Sequence, residues 1–269
     1  GGAFLNAGDA VVGNQTLAAD VTLSAASLNN QGSLIVRGAA DGSVAAVVDV
    51  AGAASSALAG QWLLQGKASV NYGGGLISTI QYGASLELDG GAAAIAAAGG
   101  SALSGLAINA GQLSLQGNYL GSGGVSLQTT QGLVNSGELF IDSYTGTGGS
   151  DIALGGALTN SGEIWVGNAT PGEQTSLEMA SLVNQGVLII QGGVGGPGAT
   201  VTVHQATTSA LTGFLSLSGS ATLAYDSGGF TSVQSGAVVS LYGAGAALTA
   251  GGASALSTLR ANYGGITLE

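Results

Sequence analysis

Glu138 and Glu163 stand in near-identical surroundings, Asn135-Ser136-Gly137-Glu138-Leu139-Phe140-Ile141 and Asn160-Ser161-Gly162-Glu163-Ile164-Trp165-Val166. If these segments stack as neighbouring strands about 4.8 Å apart, the two carboxylates approach the roughly 5 Å separation of a retaining glycosidase pair, or could hold a cation between them. The residues at the same place in other copies, Gln112, Val187 and Phe214, add no acid–base partner. Both glutamates are therefore expected to point outward into water. Asp89 and Asp142 share the following turn two copies apart with Gln116 between them, which separates them by roughly 10 Å, too far to share a proton. His204 is the only histidine and follows Val203 at an outward position, with no Cys and no carboxylate cluster beside it in sequence. No catalytic or metal-ligating role is expected for it. The glycine-rich stretches contain neither a GxxxxGK[ST] phosphate loop nor a GGxGxDxUx calcium repeat, so no cofactor is expected. Asn14-Gln15-Thr16 and Asn168-Ala169-Thr170 match the glycosylation acceptor pattern, a short signal of little weight.

What positions these residues is a repeat. The unit apolar-x-Asn-x-Gly-x-apolar-x-apolar occurs at Leu133 to Ile141, Leu158 to Val166 and Leu182 to Ile190, with earlier copies at Phe4 to Val12, Leu28 to Val36 and Ala107 to Leu115. Degenerate copies surround Gly60, Ala84, Gly213, Gly236 and Gly264. The mean period is about 25 residues, and self-similarity at such a period marks a solenoid. Two positions after the glycine stand Leu34, Trp62, Leu86, Leu113, Leu139, Ile164, Leu188, Leu215, Val238 and Ile266; four after it stand Val36, Leu64, Leu88, Leu115, Ile141, Val166, Ile190, Leu217, Ser240 and Leu268. Residues two apart share one face of a strand, so both rows are expected to face inward and stack coil upon coil. The Asn and Gly belong to the turn before this strand. Both tolerate left-handed backbone at low cost, and stacked Asn109, Asn135, Asn160 and Asn184 can hydrogen-bond along the axis as amide ladders do. Coils three and four lose the Asn, with Leu58 and Tyr82 in its place. Val44 to Val50 and Thr200 to Val203 read as further strands, Gly192 to Gly198 as a loop, and Ala92 to Ala98 as a short helix or, given the flanking glycines, a strand or loop.

A third column, three positions after the glycine, alternates outward, yet Phe140, Trp165 and Ile189 are consecutive and apolar in it. An apolar stripe on the outside usually marks a partner surface. The other reading is a loop or neighbouring segment folded over it.

Composition narrows the partners. The 269 residues include 51 Gly, are 45% hydrophobic and only 6% charged, against about 25% charged in ordinary domains. A net charge of −11 with three basic residues, Arg37, Lys67 and Arg260, repels phosphate backbones, so nucleic acid is not expected as a partner. There is no cysteine. No apolar run reaches the length of a membrane span, and no signal peptide is visible at the start. The repeat runs unbroken, so residues 1–269 read as one solenoid segment of a longer chain.

The units Leu28-Asn29-Asn30-Gln31-Gly32-Ser33-Leu34 and Leu158-Thr159-Asn160-Ser161-Gly162-Glu163-Ile164 resemble the repeats of bacterial autotransporter passengers and filamentous-haemagglutinin-like adhesins. The resemblance spans nearly the whole chain, although no translocator barrel or secretion-domain motif accompanies it. It implies an all-β, single-stranded right-handed parallel β-helix of about eleven coils, exported and displayed on the bacterial cell surface; right-handed crossovers are also the general expectation for parallel strands. The function expected is a non-catalytic structural or adhesive module, with Phe140, Trp165 and Ile189 contacting another copy or a host or matrix component. A self-assembling fibre or surface-layer subunit is the alternative. A polysaccharide-cleaving β-helix would need clustered acids and bases that are not seen.

Overall fold

The computed structural model describes residues 1–39, 42–117, 123–145 and 147–269. One parallel sheet of eleven strands runs the length of the molecule, from Asp9–Gly13 through Glu138–Ile141, Glu163–Val166 and Val187–Gln191 to Gly265–Leu268. Each strand of this long face belongs to a successive coil, so the chain is a β-solenoid. Two further faces complete each coil. One carries short strands such as Leu133–Asn135 and Ala157–Asn160, just before the Asn-Gly corner; the other carries strands such as Ala46–Ala53 and Ala199–Ala206.

Periodicity of two explains the interior. Leu139, Ile141, Ile164, Val166, Leu188 and Ile190 are each at most 1% exposed and pair in register coil to coil. Trp62 also lies in the inner row, 6% exposed, and its indole N–H donates to the Ala59 carbonyl at 2.7 Å. The third face contributes Val48, Val70, Ile95, Leu177, Val201 and Leu223 to the same core. The Ala-rich segment is a strand, Ala94–Ala97, not a helix.

Coil ten departs from the expected register by one residue. Leu215 pairs with Val239 and Leu217 with Leu241, so Val239 and Leu241, not Val238 and Ser240, continue the inner rows. The cause is a wider corner. In Ile80-Gln81-Tyr82-Gly83-Ala84 and Val233-Gln234-Ser235-Gly236-Ala237 a four-residue turn is closed by Ala84 N–H to Gln81 O (3.0 Å) and by Ala237 N–H to Gln234 O (3.1 Å). Ala237 therefore holds the corner-glycine position, and Gly236, at φ 81°, sits in the turn. In coil four the same insertion puts Ile80 beneath Asn109 and leaves Tyr82 92% exposed, so Ile80 and not Tyr82 replaces the Asn.

In the regular coils the corner glycines are required for a different reason from the one expected, whereas Gly60 and Gly213 do have positive φ, 69° and 67°. Among the described residues, Gly137, Gly162 and Gly186 do not have positive φ, and neither do the corner asparagines. A Cβ at these glycines would lie 2.0–2.1 Å from the carbonyl oxygen of the glycine one coil below. Close backbone approach, not left-handed backbone, excludes a side chain there.

Candidate functional site

Where the Asn-Gly corner recurs, its amides form a ladder. Asn109 Nδ2 donates to Asn135 Oδ1 (2.7 Å), Asn135 to Asn160 (2.9 Å) and Asn160 to Asn184 (2.8 Å). Each Nδ2 also reaches a backbone carbonyl of the coil above: Glu138, Glu163, Val187 and Phe214. Asn6 and Asn30 form a second, shorter ladder ending on Gln61 O. Because Ile80 stands below Asn109 and has no donor, Asn109 Oδ1 is buried without a partner. Asn160 has partners on both sides. Asn160→Ala should thus destabilise by about 2–4 kcal/mol, since it removes the donor to Asn184 Oδ1 and Val187 O and one acceptor of Asn135 Nδ2, which keeps Glu163 O. Asn109→Ala should cost less, as half of its capacity is already unused; urea melts of the two variants compare them directly.

Phe140, Trp165 and Ile189 pair side by side on the outer surface of the long face. They are half-buried, not freely exposed. Trp165 Nε1 is buried without a hydrogen-bond partner. Just below them the face is crossed by Tyr144, whose hydroxyl lies 3.5 Å from Glu87 Oε2. The segment bearing Tyr144 is fixed by Asp142, fully buried at φ 49°, which accepts from Gly117 N (2.6 Å), Ser150 N (2.9 Å), Ser150 Oγ (2.8 Å) and Thr175 Oγ1 (2.6 Å). Four donors around one carboxylate make an anchor for the outer loops. The Gln116 amide, also fully buried, holds the same segment: it donates to Ser114 Oγ and accepts from Tyr144 N and Thr147 Oγ1.

Two acids on this surface are less well satisfied. Asp89 is 2% exposed; Oδ2 accepts from Gln65 Nε2 at 3.0 Å, while Oδ1 has no partner. Burial raises its pKa against that hydrogen bond. Glu87 is raised by burial and by the neighbouring Asp89 charge, opposed by the Tyr144 hydroxyl. Tyr144 is raised in turn by burial and by Glu87. Among the described residues no three His, Cys, Asp or Glu are grouped so as to hold a metal ion.

Glu138 and Glu163 do occupy paired positions in neighbouring strands. Glu138 accepts from Gln112 Nε2 at 3.1 Å on the surface. His204 is flanked by carboxylates, contrary to the expectation from its sequence neighbours: Nε2 lies 3.7 Å from Glu178 Oε2 and Nδ1 3.8 Å from Asp226 Oδ1. These acids sit one coil to either side, so they are distant in sequence. All three side chains are about half exposed, a setting in which ion pairs contribute little. Of the two acceptor patterns, Asn14 is exposed, whereas Asn168 is buried and its amide is committed to Asp142 O and Thr147 O.

A larger repeat overlies the 25-residue one. Of the 61 residues from Ala46 to Leu106, 27 are identical to the residue 153 positions later. The two copies also share their irregularities. Gly60 and Gly213, Gly66 and Gly219, Gly75 and Gly228, and Gly99 and Gly252 pair as positive-φ glycines. Antiparallel hairpins close at Ala97–Gly100 and Ala250–Ala253, each followed by a serine hydroxyl that accepts from the backbone, Ser101 from Leu103 N and Ser254 from Leu256 N. The offset equals six coils of the long face, or roughly 29 Å at about 4.8 Å per coil. No family model, no curated protein and no solved structure matches the chain.

Proposed function

We propose that this chain is a non-catalytic scaffold of a secreted or surface-displayed bacterial protein, acting by contact along its outer faces. The duplication at an offset of six coils carries the reading. A catalyst needs one constellation, whereas a solenoid that repeats a whole block of coils gains length and a second copy of each outer surface without new topology. Apart from the duplicated block, the outer column of the long face supports contact: Val11, Ile35 and Leu63 stand in its first three coils, and Phe140, Trp165 and Ile189 in its sixth to eighth. Val11 is 61% exposed and the others are half-buried.

Beads coated with the chain are expected to attach to protein- or polysaccharide-coated surfaces, or to one another, without releasing soluble sugar. The Phe140→Ser and Trp165→Ser double variant should fold with a modestly lower melting temperature and attach roughly tenfold less, equivalent to losing about 55 Å² of apolar contact. Undiminished attachment by a folded double variant would place the contact surface elsewhere. Release of soluble sugar would contradict the non-catalytic reading.

A further inference from the structure

The short-strand face is interrupted twice, at equivalent places in the two copies. Ser27–Asn30 does not pair with Ala57–Leu58, and Ser181–Asn184 does not pair with Ala210–Leu211. Each interruption follows a register shift in the strand leading into it, between Val50 and Ala53 and between Val203 and Ala206. Elsewhere the corner is sewn to the coil below: Ser136 and Gly137 both donate to Asn109 O. Ala59 and Gly60 make no such bonds to Asn30 O, nor do the Thr212 and Gly213 backbones to Asn184 O.

Each gap opens a cleft. The lower, about 320 Å³, is lined by Leu28, Asn30, Leu58, Trp62, Tyr72 and Ile77. The upper, about 210 Å³, is lined by the counterparts Leu182, Asn184, Leu211, Tyr225 and Phe230. Tyr72 is only 8% exposed and Tyr225 is half-buried. Among the described residues neither hydroxyl has a hydrogen-bond partner, and burial alone pushes Tyr72 up to about 12 and Tyr225 upward as well. Phenylalanine would fill the same ring volume without desolvating a hydroxyl. Both copies nevertheless keep tyrosine, although the residues on either side differ: Asn71 and Gly73 in one, Ala224 and Asp226 in the other.

We propose that the two clefts are equivalent binding sites for a small neutral ligand with a ring-sized apolar body and one hydroxyl or carbonyl group, which the tyrosine hydroxyl recognises. The size follows from the volumes: a cavity of about 150 Å³ holds benzene, and drug-sized sites begin at about 300 Å³. Neutrality follows from the lining, which has no ionisable side chain except the protonated tyrosine. The sites stand roughly 29 Å apart along the axis.

The probe is 4-methylphenol, titrated into the whole chain by calorimetry and by ligand-observed NMR. Two saturable sites per chain are expected. Tyr72→Phe and Tyr225→Phe, each nearly isosteric, should each weaken one site roughly fivefold, the worth of one hydrogen bond, and leave the other unchanged. Toluene, which lacks the hydroxyl, should bind wild type and both variants alike. Absence of saturable binding would overturn the proposal. So would 4-methylphenol affinities that are unchanged when both tyrosines are replaced in a chain that still melts like wild type.

Discussion

Replacing Ile164 with alanine is expected to lower the unfolding free energy by about 2–5 kcal/mol. Ile164 is fully buried, in register with Leu139 below and Leu188 above. Its neighbours in the stack are held in place by strand pairing to the coils on either side, which limits how far they can move into a void. The cavity left by the lost methylenes should therefore persist and put the cost toward the upper part of that range. Reversible denaturant melts measure it; a loss below about 0.5 kcal/mol would mean that Ile164 does not face the interior.

Gly162→Ala should be as damaging, although it adds only a methyl group. Its Cβ would lie 2.1 Å from Gly137 O, inside any permissible contact, and the obstacle is backbone that cannot rotate away. Relief requires the coils to separate at the corner, where Gly162 N–H and Ser161 N–H bond Asn135 O and the amide ladder runs. A cost of about 3 kcal/mol or more is expected, at the top of the usual range for overpacking. Gly8 supplies the control: it holds the same corner position, yet a Cβ there meets nothing within 4 Å. Gly8→Ala should be neutral or slightly stabilising by lowering the entropy of the unfolded chain. Equal melting temperatures for the two variants would remove close approach as the reason for the corner glycines.

Much of the fold was legible because its determinants are short-range and repeated. Two apolar columns and an Asn-Gly corner recur often enough to set strand direction and facing. The register slipped in coil ten because Val238 and Val239 are both apolar and Gly236 imitates the corner glycine; only pairing with Leu215 separates them. The same two-residue insertion hid Ile80 behind Tyr82. The duplication was visible in principle as identity at an offset of 153, but the 25-residue motif dominates any comparison made coil by coil. The twin clefts lay beyond reach, since they depend on which strands fail to pair. The carboxylates beside His204 and the covering of the outer column by Tyr144 bring together residues from different coils, which no local pattern reports.

The stacking of coils and the duplication at an offset of six coils make one prediction in common: the distance between equivalent points of the two copies. Tyr82 and Ser235 are such points, both exposed at the tips of the two wide corners, and the chain has no cysteine to compete for label. Spin labels on the Tyr82→Cys and Ser235→Cys double variant, read by pulsed dipolar spectroscopy, should give one narrow distance distribution near 30 Å, six rises of about 4.8 Å allowing for the label arms. A broad distribution extending past about 60 Å, as an unstacked segment of this length would produce, would contradict the account.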